Sequence, residues 1–175
     1  PILKLPYTEE DIDFIKEEIE KILRSGTLTM GSRVRAFEEQ FASFCGVKFA
    51  LATNSGTSSL EIILRTINVD SKTVVMPSNT YMATPLAAIK AGGKVIFTEC
   101  EGENLQISPD DLRRKIRKDT KAVVIVHIGG IISPRMEEIL NICSEYNVPL
   151  VEDAAHAHGA QYNNKKAGNI GIAGS

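Results

Sequence analysis

Short apolar runs alternate with amphipathic segments along most of the chain. TVVMP, AVVIVHI and VPLVED carry apolar residues at successive positions, which is typical of strands buried on both faces. KFALAT and KVIFTE are interpreted as strands in the same way. Between these runs apolar residues recur at helical spacing, as in Leu60, Ile63, Leu64 and Ile67, and in Met136, Ile139, Leu140 and Cys143. The alternation predicts an α/β fold with three layers, α/β/α, around a mostly parallel sheet.

Several predicted helices have recognisable ends. An initial helix, with Ile12, Ile15, Ile19 and Ile22 on one face, is expected to run from Thr8 to about Ser25. The other caps and first residues are Gly46 after a second helix, Ser108 with Pro109, and Thr84 with Pro85. Because no repeat, low-complexity tract or linker divides the sequence, residues 1–175 are predicted to form a single domain.

Composition excludes some classes of function. The 175 residues include 20 basic and 22 acidic side chains, so the net charge of -2 gives no electrostatic case for nucleic acid. No apolar run approaches the roughly 20 residues that cross a bilayer, and the first residues do not resemble a signal peptide, so no membrane is expected as a partner and we expect a cytoplasmic protein. Three cysteines without CxxC spacing indicate neither a disulfide framework nor a metal site, and Cys143 is expected in the core.

Polar residues follow several of the predicted strands, and in an open parallel sheet this edge holds the ligand site. After KFALAT, the sequence NSGTSSLEI leads directly into a helix. Free N–H groups at the helix start, together with the hydroxyls of Ser55, Thr57 and Ser58, would form an anion site suited to phosphate. The alternative is an ordinary serine or threonine cap on a tight turn.

Other side chains are expected in the same layer. Tyr81, after TVVMP, either stacks on a planar ligand or packs on its own helix. Strand alternation sends Glu152 and Asp153 to opposite sides, so only one readily faces a given pocket. A carboxylate in that pocket stays charged if it lies beside a cation or a strong donor, such as a protonated heteroaromatic nitrogen. The equal alternative is that Asp153 caps the turn that follows the strand.

Two histidine positions leave further alternatives open. His156 and His158 are two residues apart with no third ligand evident, which does not fit a zinc pair, and one of them is interpreted as structural. His127 is a pocket residue, a strand-end hydrogen bonder or a core residue, and the structural role is favoured. Together, the phosphate turn, the aromatic ring and the buried carboxylate describe a site for a flat, phosphorylated heteroaromatic, which pyridoxal 5'-phosphate fits.

The order and wording of these segments resemble the DegT/DnrJ/StrS-type sugar aminotransferases. The resemblance covers nearly the whole chain, including SGTLTMGSRVRAFEEQFASFCGV, NSGTSSLEIILR, MPSNTYMATPLAAIKAGGKVIFTE, TKAVVIVHIGG and VPLVEDAAHAHGA. It implies a fold-type-I pyridoxal phosphate enzyme that transfers an amino group, usually from glutamate, to a nucleotide-linked keto sugar. It also implies a homodimer with its active sites at the subunit interface.

The resemblance assigns roles to individual residues. Gly56, Thr57 and Ser58 match the family's phosphate turn, and Tyr81 matches the residue that stacks on the cofactor ring. Asp153 matches the partner of the pyridine nitrogen, and His156 stands where the family places a glutamine or histidine beside the phenolic oxygen.

The resemblance also implies a residue that this sequence does not contain. The family's Schiff-base lysine is expected beyond Ser175, so the chain is expected to be the amino-terminal, cofactor-binding part of a large domain, incomplete at its carboxyl end. Lys165 and Lys166 match a variable polar turn and are not assigned that role. Relatives with histidine in place of the lysine act as sugar dehydratases, which leaves that activity, or a non-catalytic regulatory role, as an alternative to amino transfer.

Overall fold

Five parallel strands form the central sheet in a computed structural model that describes residues 5–175. From edge to edge the order is β2, β1, β3, β4, β7, and every neighbouring pair is parallel. The strands are β1 (Thr73–Pro77), β2 (Lys94–Thr98), β3 (Thr120–Val126), β4 (Leu150–Asp153) and β7 (Ala173–Gly174). A short antiparallel hairpin of β5 (Gln161–Tyr162) and β6 (Lys165–Lys166) comes between β4 and β7 in the sequence.

Four helices cover the two faces of this sheet: α3 (Gly56–Ile67), α4 (Ala83–Lys90), α5 (Pro109–Lys115) and α6 (Met136–Glu145). They are preceded in the sequence by α1 (Glu9–Ser25) and α2 (Ser32–Cys45), and a short 3₁₀ turn lies at Ile128–Gly130. Residues of α3 and α4 pack with Val74, Met76 and Val124 in one core. Residues of α5 and α6 pack with Val75, Val123 and Ile125 in the other. The alternation of side chains along β1 and β3 therefore separates two cores, and the predicted three-layer α/β/α fold is confirmed.

Most of the predicted helix ends are confirmed. Thr8 and Asp11 form a reciprocal capping box at the start of α1, and Gly46 ends α2 in the left-handed conformation with φ of 73°. Ser108 caps α5, whose first residue is Pro109. The prediction that Thr84 caps a helix beginning at Pro85 was wrong, because α4 begins one residue earlier than Thr84, at Ala83, and the Thr84 side chain bonds elsewhere.

The predicted strand KFALAT was also wrong, because residues 48–53 form no strand. A strand needs a partner for its backbone groups, and residues 48–53 pair with no strand of the described range 5–175. Residues 48–53 are connected to helix α2 by a hydrogen bond from the Ala52 N–H to the Glu38 carboxylate, at 2.8 Å. KVIFTE does form β2, but at the sheet edge, where Phe97 is exposed rather than buried.

The predicted apolar stripe of helix α1 is exposed on the surface of the described residues 5–175. Ile15 and Ile19 are exposed, and α1 has no buried residue. Within residues 5–175, no helix is both long enough and apolar enough to cross a membrane. The single domain over residues 1–175 stays a prediction, and residues 1–4 lie outside the described range.

Candidate functional site

Hydrogen bonds join three of the predicted site segments at the carboxyl edge of the sheet. Thr84, in the first turn of α4, donates to Asp153 at the end of β4, over 2.6 Å. Ser175 follows β7, and its backbone oxygen accepts from Ala154 N–H at 2.7 Å, while its hydroxyl donates to the Gly56 carbonyl at 3.2 Å. These contacts connect the start of α3, the turn before α4 and the end of β4.

The start of α3 has the geometry of an anion site. The Ser55 hydroxyl accepts from Ser58 N–H at 3.2 Å, so the predicted serine cap is present. The N–H groups of Gly56 and Thr57 have no acceptor within the helix, and neither donates to another residue in the range 5–175. Because this cap satisfies only one of the first N–H groups, its presence leaves other N–H groups free to bind an anion.

Asp153 lies at the end of β4 with only 9% of its surface exposed. Its Oδ2 accepts the Thr84 hydroxyl, whereas its Oδ1 has only a long contact from Ala155 N–H, at 3.4 Å. An ionised carboxylate has lone pairs for about four donors. Oδ1 therefore retains the capacity to accept a strong hydrogen bond from a ligand.

Tyr81 lies in the turn between β1 and α4 with 78% of its surface exposed. Its carbonyl accepts from Thr84 N–H at 3.1 Å, which holds the backbone of the turn to α4. The exposed ring does not pack into the core, so the alternative that it packs on its own helix is not favoured. An aromatic ring open at a strand end is available to a planar ligand.

His156 follows β4 and is exposed. Its Nδ1 accepts a hydrogen bond from Gly129 N–H at 3.2 Å. A neutral imidazole that accepts at Nδ1 carries its proton on Nε2. The contact with Gly129 therefore leaves His156 Nε2 as a donor for a ligand oxygen.

Glu152 lies on the opposite face of the sheet from Asp153, as strand alternation predicted, and is fully buried. Its Oε1 accepts from the N–H groups of Ile170 and Gly171, each at 2.7 Å. Its Oε2 accepts from Gly168 N–H at 2.8 Å and from His127 Nε2 at 2.9 Å. Burial by itself raises the pKa of Glu152, but the hydrogen bonds from His127, Gly171 and Gly168 outweigh burial and lower the pKa below its ordinary value.

The contact with Glu152 identifies the role of His127. Because the carboxylate is ionised and only accepts, His127 Nε2 is the donor of this pair. The favoured structural interpretation of His127 is therefore the one that the geometry supports. The four-donor role of Glu152 was not predicted, and the signal for it in the sequence was a carboxylate within a buried strand.

Among the described residues, neither Lys166 nor a cluster of metal-binding side chains adds to this site. The Lys166 ammonium lies 3.6 Å from the centre of the Phe44 ring and also donates to the Phe44 carbonyl, so it is directed toward the end of α2. Within the described part of the chain, no group of three or more histidine, cysteine and acidic side chains is arranged to hold a metal ion.

Comparison with known proteins identifies relatives over most of the chain. Residues 9–175 match the DegT/DnrJ/EryC1/StrS aminotransferase family. The chain is 37% identical over 160 residues to the dTDP-3-amino-3,6-dideoxy-alpha-D-galactopyranose transaminase of Aneurinibacillus thermoaerophilus, an alignment that covers 91% of this chain and 44% of the relative.

Solved structures show the same fold. The structure of 3-amino-5-hydroxybenzoic acid synthase superposes with a TM-score of 0.87 at 27% identity, covering 96% of this chain and 44% of that one. A GDP-4-keto-6-deoxymannose-3-dehydratase with a trapped PLP-glutamate geminal diamine superposes with a TM-score of 0.85 at 25% identity, covering 98% and 45%. The chain thus spans less than half the length of these relatives.

Proposed function

Because the chain belongs to the DegT/DnrJ/EryC1/StrS aminotransferase family, we propose that it builds the cofactor site of a pyridoxal phosphate-dependent sugar aminotransferase. The amino group would come from glutamate and pass to a keto sugar carried on a nucleotide. The observation that carries the proposal is the placement of a helix start with free N–H groups and of the Asp153 carboxylate at one sheet edge, joined through Ser175 and Ala154.

The residues at this edge fit pyridoxal phosphate in charge and in hydrogen bonding. The free N–H groups at the start of α3 match a phosphate, and the open Tyr81 ring matches a planar aromatic. The unused capacity of Asp153 Oδ1 matches a protonated ring nitrogen. His156 Nε2 supplies a donor suited to the ring's phenolic oxygen.

Each of these residues has a distinct proposed task. Gly56 and Thr57 N–H groups, with the hydroxyls of Thr57 and Ser58, hold the phosphate. Tyr81 lies against the ring face and excludes water from it. Asp153 holds a proton on the ring nitrogen, and the bound cofactor then supplies the electron-accepting ring that amino transfer requires. His156 donates to the phenolic oxygen and fixes the orientation of the ring.

We also propose that the protein is a homodimer. Leu28 and Met30, in the segment between α1 and α2, are both exposed, as is much of the α1 stripe. Exposed apolar side chains that follow one another in the sequence favour a contact with another protein surface. The cytoplasmic location stays a prediction.

A sugar dehydratase is the second candidate, favoured by the similarity to the GDP-4-keto-6-deoxymannose-3-dehydratase structure. The two activities leave different products. Amino transfer adds a nitrogen to the sugar and converts glutamate to 2-oxoglutarate. The dehydratase would replace a hydroxyl group of the sugar with hydrogen, a two-electron reduction for which glutamate would supply the electrons as it becomes 2-oxoglutarate and ammonia. Only the product of amino transfer carries a new nitrogen, so mass spectrometry of the nucleotide sugar separates the two activities.

The test uses the full protein that carries this chain, supplied with pyridoxal phosphate, glutamate and nucleotide-linked keto sugars. We expect 2-oxoglutarate to form, and we expect Asp153→Asn to lower kcat by at least about 100-fold with the fold intact. Asp13→Asn makes the same exchange on the exposed surface of α1 and should leave turnover unchanged. Unchanged turnover in Asp153→Asn would refute the assignment of Asp153. If the wild-type protein bound the cofactor but showed no turnover, that result would favour the regulatory role.

A further inference from the structure

We infer that Thr84, assisted by Thr80, is a positioning residue that fixes the carboxylate of Asp153 for the ring nitrogen of the cofactor. The inference rests on the proposed function, because it assigns a role within the same site. Thr84 is buried to 1% exposure in the first turn of α4, and its hydroxyl lies 2.6 Å from Asp153 Oδ2. The two residues are 69 positions apart in the sequence.

The direction of each hydrogen bond follows from the number of protons available. A hydroxyl carries one proton, and an ionised carboxylate only accepts. The Thr84 proton therefore lies on the bond to Asp153. The Thr80 hydroxyl lies 2.7 Å from the Thr84 oxygen and 3.3 Å from the Tyr81 carbonyl oxygen. Because the Thr84 proton is used on Asp153, the shorter contact needs the Thr80 proton, and Thr80 donates to Thr84. The two hydroxyls form a chain that ends on the carboxylate, and each bond polarises the next.

Thr84 does not cap helix α4. A capping side chain accepts from a backbone N–H of the first turn and belongs to the residue before the helix, which is Met82 here. Helix α4 has no side-chain cap, and Thr84 accepts from no N–H group among residues 5–175. A fully buried hydroxyl that is not used for capping and is directed at a carboxylate serves that carboxylate.

The chain of hydroxyls has two consequences for the site. It places a short hydrogen bond on Oδ2, so that Oδ1 of Asp153, whose contact with Ala155 N–H is long at 3.4 Å, is the oxygen with more capacity for the ring nitrogen. It also ties Asp153 to the turn that carries Tyr81, the neighbour of Thr80. Tyr81, against the ring face, and Asp153, the partner of the ring nitrogen, are thereby held at fixed positions relative to each other.

The experiment compares three variants of the full protein. Thr84→Val keeps the shape of the side chain and removes the hydroxyl, whereas Thr84→Ser keeps the hydroxyl and removes the methyl group. The matched control is Thr73→Val, because Thr73 is also buried and also donates to a carboxylate, Asp119 Oδ2 at 2.9 Å, but at the opposite end of β1.

Two readouts separate positioning from stability. The first is the dissociation constant of pyridoxal phosphate, measured by titrating the cofactor-free protein. The second is the nitrogen NMR shift of isotope-labelled cofactor, which reports protonation of the ring nitrogen. We expect Thr84→Val to weaken cofactor binding about tenfold and to move the shift toward that of the unprotonated ring. Thr84→Ser should bind within about twofold of the wild type.

The control variant separates a loss of stability from a loss of positioning. Thr73→Val should lower the melting temperature without changing either readout. If Thr84→Val binds the cofactor as the wild type does, with the same nitrogen shift, the inference is wrong while the proposed function stands. If Thr84→Ser is as defective as Thr84→Val, packing of the methyl group explains the effect and the inference is again wrong. If the wild type binds no cofactor, both fail together.

Discussion

Replacing Glu152 with glutamine should destabilise the protein through its buried hydrogen bonds. The glutamine oxygen still accepts from two N–H groups, but its NH₂ group meets the donors of Gly168 and His127. His127 relieves one conflict by moving its proton to the other ring nitrogen. The N–H of Gly168, a half-buried residue, then loses its acceptor and faces the NH₂ group of a side chain at a position of 0% exposure. An unpaired buried donor costs about 1–3 kcal/mol. Loss of the charge on the remaining bonds brings the total to about 2–4 kcal/mol.

The assay is chemical denaturation of the full protein, followed by circular dichroism. Glu145→Gln is the matched control, because Glu145 pairs with Arg113 on the surface and such exposed pairs contribute about 1 kcal/mol or less. If Glu152→Gln lowered the free energy of unfolding by no more than the control, the four-donor account of Glu152 would be refuted.

The pH dependence of stability gives a second check on Glu152. Its pKa is lowered in the folded protein, so its contribution is complete above the ordinary value of 4.5 and is lost as the pH falls through the folded value. Below pH 4.5 the wild type should therefore lose part of its stability advantage over Glu152→Gln. A constant difference between the two proteins through this range would contradict the assigned shift.

Two further predictions concern the close packing around Gly171 and the burial of Cys143. Gly171→Ala would place a Cβ atom 2.4 Å from the Leu150 carbonyl oxygen and should lower the free energy of unfolding by about 1–3 kcal/mol. Gly102→Ala, whose Cβ atom would have no atom within 4 Å, should leave the free energy of unfolding unchanged. Equal denaturation midpoints for the two variants would contradict this prediction. Burial raises the pKa of the Cys143 thiol to about 12. In native protein at pH 8, iodoacetamide should therefore label the partly exposed Cys100 and spare Cys143, which mass spectrometry would map. Rapid labelling of Cys143 would show that reagent reaches the core and would contradict this prediction.

Features that depend on neighbouring residues could be predicted from the sequence. The caps at Thr8, Gly46 and Ser108 were correct because each satisfies backbone groups only a few residues away. The opposite directions of Glu152 and Asp153 were correct because strand alternation is a local rule.

Features that depend on distant partners could not be predicted in this way. KFALAT has a strand-like pattern, but no strand of the described residues pairs with it. Thr84 and Pro85 have the pattern of a cap and a first helical residue, but the Thr84 hydroxyl bonds to Asp153 instead. The four donors to Glu152 come from segments up to 25 positions away, and only the folded chain brings them together.

The most direct test of the central claim is a crystal structure of the full protein with pyridoxal phosphate. The account predicts that the phosphate contacts the N–H groups of Gly56 and Thr57 and that the ring nitrogen lies within about 3 Å of Asp153. A cofactor bound away from the start of α3, or one whose ring nitrogen contacts a group other than Asp153, would contradict the account.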